Sequence, residues 1–248
     1  MFEELISLCL AGNPPALPHD WWLRWSLAPA TLLPLLGLLA WLLLRRRRLL
    51  PLVGWSLLAL ALVSPLCRLA ATLAWAHMAQ LMLLLGGTGL LALEAPPRAR
   101  LPQPGPAAAV HGALLWLWHW PPLYAAVLAH AGLHLFALAL LLASAWWFWR
   151  AVLLAPVPQR GVALLALLAT MAHTGLLGAL LTFAGEPLYV LQAPGARAWG
   201  LEPLQDQQLA GLLMWVLGAL GYLLAAVALA LRWFAAPAHP VRRATPAH

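Results

Sequence analysis

Long, uninterrupted apolar runs are the feature that most limits what this chain can fold into. A helix needs roughly 20 apolar residues to cross about 30 Å of hydrocarbon. Seven runs of about that length follow one another, joined mostly by short connections. They lie approximately at 25–44, 49–67, 69–93, 107–128, 132–154, 161–183 and 208–233. The runs predict an all-α, polytopic integral membrane bundle of about seven transmembrane helices.

Composition excludes the other broad classes. Of 248 residues, 64% are hydrophobic and 8% are charged, whereas soluble domains are about 25% charged. Such a chain cannot cover a water-facing surface, so the lipid bilayer is its expected surroundings. The apolar content excludes a disordered chain, and a total of two cysteines, Cys9 and Cys67, excludes a disulfide scaffold.

The runs fill most of the chain and predict one membrane domain. We expect an extracytoplasmic N-terminal segment over 1–24, the membrane domain over 25–233 and a cytoplasmic tail over 234–248. The N-terminus is not expected to be a secretory signal, because Glu3 and Glu4 stand where such a signal is basic.

The arginines indicate which way the bundle faces. All 14 cationic residues are arginines, and alternation of the spans places eleven of them on one side and three on the other. Cytoplasmic loops carry the excess of basic residues, so the N-terminus is predicted outside and the C-terminus inside. The net charge of +7 therefore reports topology and does not indicate a nucleic-acid partner. The eleven are Arg45, Arg46, Arg47, Arg48, Arg98, Arg100, Arg150, Arg160, Arg232, Arg242 and Arg243.

Histidines supply nearly all the ionisable groups inside the runs. Ionisable residues are costly in a membrane and mark functional sites. With the predicted topology, five histidines from four runs converge on the outer half of the bilayer: His77, His119, His130, His134 and His173. His111 lies near the inner end of the fourth run, where a hydrogen bond to a neighbouring helix is the favoured interpretation.

The residue types around these histidines favour copper. His130 and His134 are four residues apart, so they would stack on one helical face and could hold one ion. Gln80 shares the face of His77, and Met78 adjoins it. Imidazole with thioether suits copper best, although zinc and haem iron also accept imidazole. Calcium and magnesium prefer oxygen ligands and are disfavoured.

Structural roles stay open beside the metal interpretation. Any one histidine could only bond a neighbouring helix, and Met78 could only fill the core. Cys67 is either a soft ligand at the outer end of the second run or a small buried hydrophobe. Asp206 either caps its own helix or orients an imidazole by accepting its N–H.

Several segments taken together resemble the CtaG family of caa3-type cytochrome c oxidase assembly factors. The resemblance runs from about the second apolar run to the end of the seventh. The segments that carry it are Ala76–Gln80, Trp118–Tyr124, His173 with Leu177–Phe183, Pro187–Tyr189, and Asp206–Leu212 with Met214–Trp215.

The resemblance implies a multi-pass protein of the bacterial plasma (inner) membrane that helps to mature a haem–copper oxidase at the copper-delivery stage. Subunits of cytochrome c oxidase would be its partners. The family's functional positions would be His77, His119, His134 and His173, with Asp206 as a polar partner. One departure is that the family pattern His-Met-x-Gln-His has Leu81 at its last position here.

Two other functions remain alternatives, and catalysis is not expected. Histidines from different spans could ligate haem in a membrane redox protein. A copper permease would need ligands in the inner half, where only His111 is present. The chain contains no Gly-x-Ser-x-Gly or His-Glu-x-x-His pattern, so we expect no enzyme.

Overall fold

The computed structural model describes residues 8–45, 49–93 and 103–235, which form α-helices joined by turns and short 3-10 segments. The α-helices are α1 (Pro29–Leu44), α2 (Leu49–Val63), α3 (Pro65–Thr72), α4 (Ala74–Ala92), α5 (Pro104–His119), α6 (Pro121–Ala129), α7 (Ala131–Leu153), α8 (Arg160–Phe183), α9 (Ala193–Ala198) and α10 (Pro203–Phe234). The all-α prediction is confirmed.

Several of these helices have the length and apolarity of membrane spans. Four qualify on their own: α4, α7, α10, and α8 with the 3-10 turn that precedes it. The pair α2 and α3 is bent by 53° and counts as a fifth candidate. Shorter α1 is apolar as well. The described chain is therefore that of a helical membrane protein, with four to five spans identified by length and composition.

Prolines and one extended residue divide the chain differently from the predicted runs. The second and third runs were expected to meet near Arg68, but the helices instead break at Ser64 and Leu73. Ser64 caps α3 by accepting the N–H of Leu66, and Pro65 begins that helix. The fourth run is split at Trp120, which is extended before Pro121 because a residue preceding proline avoids the helical region.

The first and last runs also have different boundaries. Helix α1 begins at Pro29, four residues after the predicted start. Helix α10 begins at Pro203, five residues before the predicted start of the seventh run. A capping box explains the earlier start, since Glu202 and Gln205 satisfy each other's backbone N–H groups.

Glycines allow the closest helix contacts. Gly178 of α8 faces Gly211 of α10, and a Cβ built on Gly178 would lie 2.8 Å from the Gly211 carbonyl oxygen. Small residues let membrane helices approach to such distances. This contact fixes α10 against α8 and so positions the start of α10, where Asp206 lies.

The N-terminal segment is tied to α3 by a disulfide between Cys9 and Cys67, whose Cα atoms are 5.4 Å apart. Both cysteines are buried. Arg68 is buried beside them, and its guanidinium donates to the carbonyls of Leu8 and Pro14. The expectation that Cys67 is a lone thiol or a soft metal ligand is therefore wrong, because its sulfur is bonded to Cys9.

Some predictions fall outside the described residues. They concern positions 1–7, 46–48, 94–102 and 236–248, which include seven of the arginines predicted to be cytoplasmic: Arg46, Arg47, Arg48, Arg98, Arg100, Arg242 and Arg243.

Candidate functional site

Three of the five predicted outer-half histidines line one pocket of about 70 Å³. His77 comes from the first turn of α4, His119 is the last residue of α5, and His134 lies in the first turn of α7. Trp118 and Tyr124 line the same pocket. The proline break after α5 and the extended residue before α7 place all three histidines at one end of the bundle.

His119 faces the sulfur of Met78. Its Nδ1 lies 2.6 Å from the Leu115 carbonyl oxygen, and its Nε2 lies 3.4 Å from Met78 Sδ. A carbonyl oxygen can only accept, so Nδ1 of the neutral ring carries the hydrogen and Nε2 carries a lone pair. Because the thioether sulfur is also an acceptor, two lone-pair atoms face each other with no hydrogen between them.

Three other nitrogens in the pocket residues are buried without a hydrogen-bond partner among the described residues. They are Nδ1 of His77, Nδ1 of His134 and Nε1 of Trp118. The His77 ring packs edge-on against Tyr124, with ring centroids 5.0 Å apart. Buried polar atoms normally have partners, so these three are the atoms that a bound species would satisfy.

Asp206 caps the helix that carries His77. Its Oδ2 accepts the N–H of Ala74 at 2.8 Å and its Oδ1 accepts the N–H of Trp75 at 3.1 Å. The side chain is 2% exposed, and a carboxylate at a helix N-terminus complements the helix dipole. Neither expected role is observed, since Asp206 caps α4 rather than its own helix and contacts backbone rather than an imidazole.

Gln80 has a structural bond as well as a place in the pocket wall. Its Nε2 donates to the Ala61 carbonyl at 2.8 Å, which links α4 to α2. Gln80 also lines the pocket. Its predicted supporting role therefore takes the form of holding two helices together beside His77.

His130 and His173 lie apart from the pocket wall. His130 is exposed and precedes α7, with Nδ1 3.0 Å from the Ala126 carbonyl oxygen. His130 is the extended residue before α7, so the helical spacing on which the expected His130–His134 pair depends does not apply, and only His134 lines the pocket. His173 faces the other side of α5, where its Nδ1 accepts the N–H of Trp116 at 3.3 Å. Its Nε2 lies so close to Gly112 that a Cβ added there would be 2.7 Å away.

His111 has the structural bond expected of it. Its Nδ1 lies 3.1 Å from Ser144 Oγ on α7, and its ring stacks on Phe148. Counting only histidine, cysteine and acidic side chains, the described part of the chain holds no group of three placed to bind a metal ion.

Comparison with known families identifies the chain. The family model described as cytochrome c oxidase caa3 assembly factor (Caa3_CtaG) matches residues 38–236. The chain belongs to this family. Neither the curated proteins nor the solved structures gave a match. All eight candidate site residues of this caa3 assembly factor lie inside the matched range, whereas Cys9 lies before it.

The caa3 assembly factor also has pocket-supporting residues whose contacts the sequence did not indicate. The hydroxyl of Tyr189 donates to the His119 carbonyl at 3.1 Å, and Tyr124 donates to Gln192 Oε1 at 2.9 Å. The two tyrosine rings stack with centroids 4.0 Å apart. Burial raises the pKa of Tyr189, so its hydroxyl keeps its hydrogen and remains a donor.

Gln207 completes this support from the start of α10. Its Oε1 accepts the N–H groups of Leu188 and Tyr189, and its Nε2 donates to the Leu181 carbonyl. Gln192 donates to the Ala70 carbonyl at 2.7 Å. The loop between α8 and α10 is thus bonded to α3, α5 and α10. The sequence signals for these residues were the polar Asp206-Gln207 pair and the family segments that contain Tyr124 and Tyr189, and none of them gives a contact partner.

Proposed function

We propose that this caa3 assembly factor is a non-enzymatic copper carrier that holds the ion as cargo and passes it to a nascent oxidase subunit. The observation that supports this most is the pair of lone-pair atoms, His119 Nε2 and Met78 Sδ, 3.4 Å apart with no hydrogen between them. A soft cation bridged by imidazole and thioether fits that pair, and copper(I) is the ion these ligands favour.

The other pocket histidines are proposed as neighbouring contacts for the ion rather than as further ligands of one bound ion, because the three are not placed to hold one ion together. His77 and His134 line the same pocket and each has a buried nitrogen without a partner in the described chain. Leu81, which replaces the last histidine of the family pattern, also lines the pocket. The ligand set of this chain is therefore smaller by one imidazole, which suits transient holding. His173 is left out of the set, and His130 is proposed as an exposed first contact for the ion, one helical turn before His134.

We infer that the chain crosses the bacterial plasma membrane seven times, with the N-terminus outside and the C-terminus inside. The crossings would be α1, α2, α4, α5 with α6, α7, α8 and α10. The Cys9–Cys67 disulfide supports this orientation independently of the arginines, because disulfides persist in oxidising compartments. The histidine pocket would then lie at the extracytoplasmic end of the bundle.

The two alternatives have less support. Sites for organic cofactors usually measure about 300–1,000 Å³, and the histidine pocket measures about 70 Å³, which weighs against haem. A permease would need a path from His119 to His111. Leu115 lies between them on the same face of α5 and is 1% exposed, which weighs against such a path.

Copper content of the purified protein tests the proposal. Met78→Leu keeps the side-chain volume close to that of methionine but removes the sulfur, and His119→Ala removes the imidazole. We expect both variants to bind copper(I) at least tenfold more weakly than wild type and to lower the copper content of the cellular oxidase. Met214→Leu is the matched control, since Met214 is also buried at 1% exposure but the sulfur that faces His119 Nε2 is that of Met78. Equal copper in Met78→Leu, His119→Ala and Met214→Leu would exclude the carrier role.

A further inference from the structure

An apolar groove lies beside the histidine pocket and shares part of its wall. The groove runs between α1 and α7 past the end of α2 and measures about 460 Å³. Leu62 and Leu138 line both the groove and the pocket. Helix α1 is fixed to α2 by a bond from Trp55 Nε1 to the Leu35 carbonyl at 2.8 Å. The groove has the volume of an ordinary small-molecule site.

The groove wall suits a hydrocarbon tail. Its lining is aliphatic, with Leu35 and Leu38 from α1, Leu58 from α2 and Leu142 from α7. The one hydroxyl in the wall, Thr31 Oγ1, already donates to the Ala28 carbonyl. A molecule seated there would meet no unsatisfied polar group.

The pocket suits an uncharged head group that carries an acceptor oxygen. Trp118 Nε1 is buried and has no partner among the described residues. An indole N–H is only a donor, so it cannot bind a metal, and leaving it unpaired costs free energy. The residues that line the pocket include none with a permanent charge, so a phosphate head would have no counter-charge there.

We propose that the pocket and groove together bind a membrane quinone. A ring carbonyl accepts the hydrogen of Trp118 Nε1, and the isoprenoid tail lies in the groove between α1 and α7. The uncharged lining of the pocket suits the carbonyl edge of a quinone ring, whereas a phosphodiester head would meet no counter-charge there. This site shares its pocket with the histidines of the proposed copper site, but it goes beyond the copper-carrier function and does not rest on it, because neither Trp118 nor the groove residues belong to the copper ligand set.

Two measurements on the full-length protein in mild detergent test this site. Mass spectrometry of an organic extract should find a quinone that co-purifies with the wild-type protein. Calorimetric titration with decylubiquinone should then show an affinity that falls about fivefold in Trp118→Phe, as expected for one lost hydrogen bond. Ala139→Trp, which fills the groove, should weaken binding at least tenfold.

Matched controls separate the site from general effects. Trp116→Phe removes an N–H of the same helix that bonds His173, and Ala228→Trp adds an indole at an exposed position of α10. Both should bind decylubiquinone within twofold of wild type. The proposal would be overturned if the extract held only phospholipid. It would also be overturned if Trp118→Phe bound decylubiquinone as tightly as Trp116→Phe and Ala139→Trp bound it as tightly as Ala228→Trp. Met78→Leu should lose copper and keep quinone binding, so failure of one proposal is distinguishable from failure of the other.

Discussion

Replacing Asp206 by asparagine should loosen the helix that carries His77. The carboxylate accepts two backbone N–H groups at 2.8 and 3.1 Å while only 2% exposed. Asparagine keeps one acceptor oxygen and turns an NH₂ group toward the second N–H. A hydrogen bond to a charged group contributes about 1.5–3 kcal/mol, and a charge at a helix N-terminus about 0.3–2 kcal/mol. We therefore expect the free energy of unfolding to fall by about 2–4 kcal/mol.

Thermal unfolding of the purified protein, followed by circular dichroism in one detergent at one scan rate, measures this effect. A loss of that size should lower the melting temperature by about 5–15 °C, at about 2–4 °C per kcal/mol. Glu202→Gln is the matched control, because Glu202 is exposed and glutamine keeps the oxygen that caps α10. A melting temperature for Asp206→Asn that equals that of Glu202→Gln would refute the assignment of Asp206 as the cap of α4.

Three further outcomes follow from other contacts. Gly112→Ala should displace His173, because the new methyl would lie 2.7 Å from Nε2, and the indole signal of Trp116 in NMR spectra should shift; an unchanged signal would contradict the contact. Cys67→Ser should lower the free energy of unfolding by about 4 kcal/mol, the chain-entropy estimate for a disulfide that spans 58 residues. Dithiothreitol should lower the melting temperature of wild type but not of this variant. Partial burial raises the pKa of Asp20, but hydrogen bonds from Arg24 and the Leu17 backbone outweigh it and hold the pKa below its usual value. The charged carboxylate therefore stabilises the folded protein above the unfolded-state pKa, near 3.9, and this stabilisation is lost as the pH falls through the folded-state pKa. Melting curves at descending pH should show this loss for wild type but not for Asp20→Asn.

The length and apolarity of the runs were enough to predict a helical membrane protein, and the prolines at 121 and 122 were enough to predict a broken fourth run. The break at Leu73 could not be predicted. Leu73 is an apolar residue within an apolar run, and the group that stabilises the break is Asp206, 132 residues from Ala74 along the chain. The residues around Leu73 do not indicate a contact with a residue so far along the chain.

Depth along the spans placed His77, His119 and His134 together, and the structure confirms that they share a pocket. Depth does not give the direction in which a side chain points. His173 lies on the far side of α5, against Gly112, and so does not line the histidine pocket. The spacing rule failed for His130 because it assumes one continuous helix, and α7 begins one residue later.

The capping of α4 by Asp206 constrains the order in which the helices reach their final positions during synthesis. The first N–H groups of a helix have no partner within that helix, and hydrocarbon provides none. Those of Ala74 and Trp75 are satisfied by a residue of the last long helix. During synthesis the His77 helix therefore reaches its final geometry only after α10 has entered the bilayer. Met78 of the proposed copper-binding pair lies on this helix, so that pair would be completed only at the end of insertion.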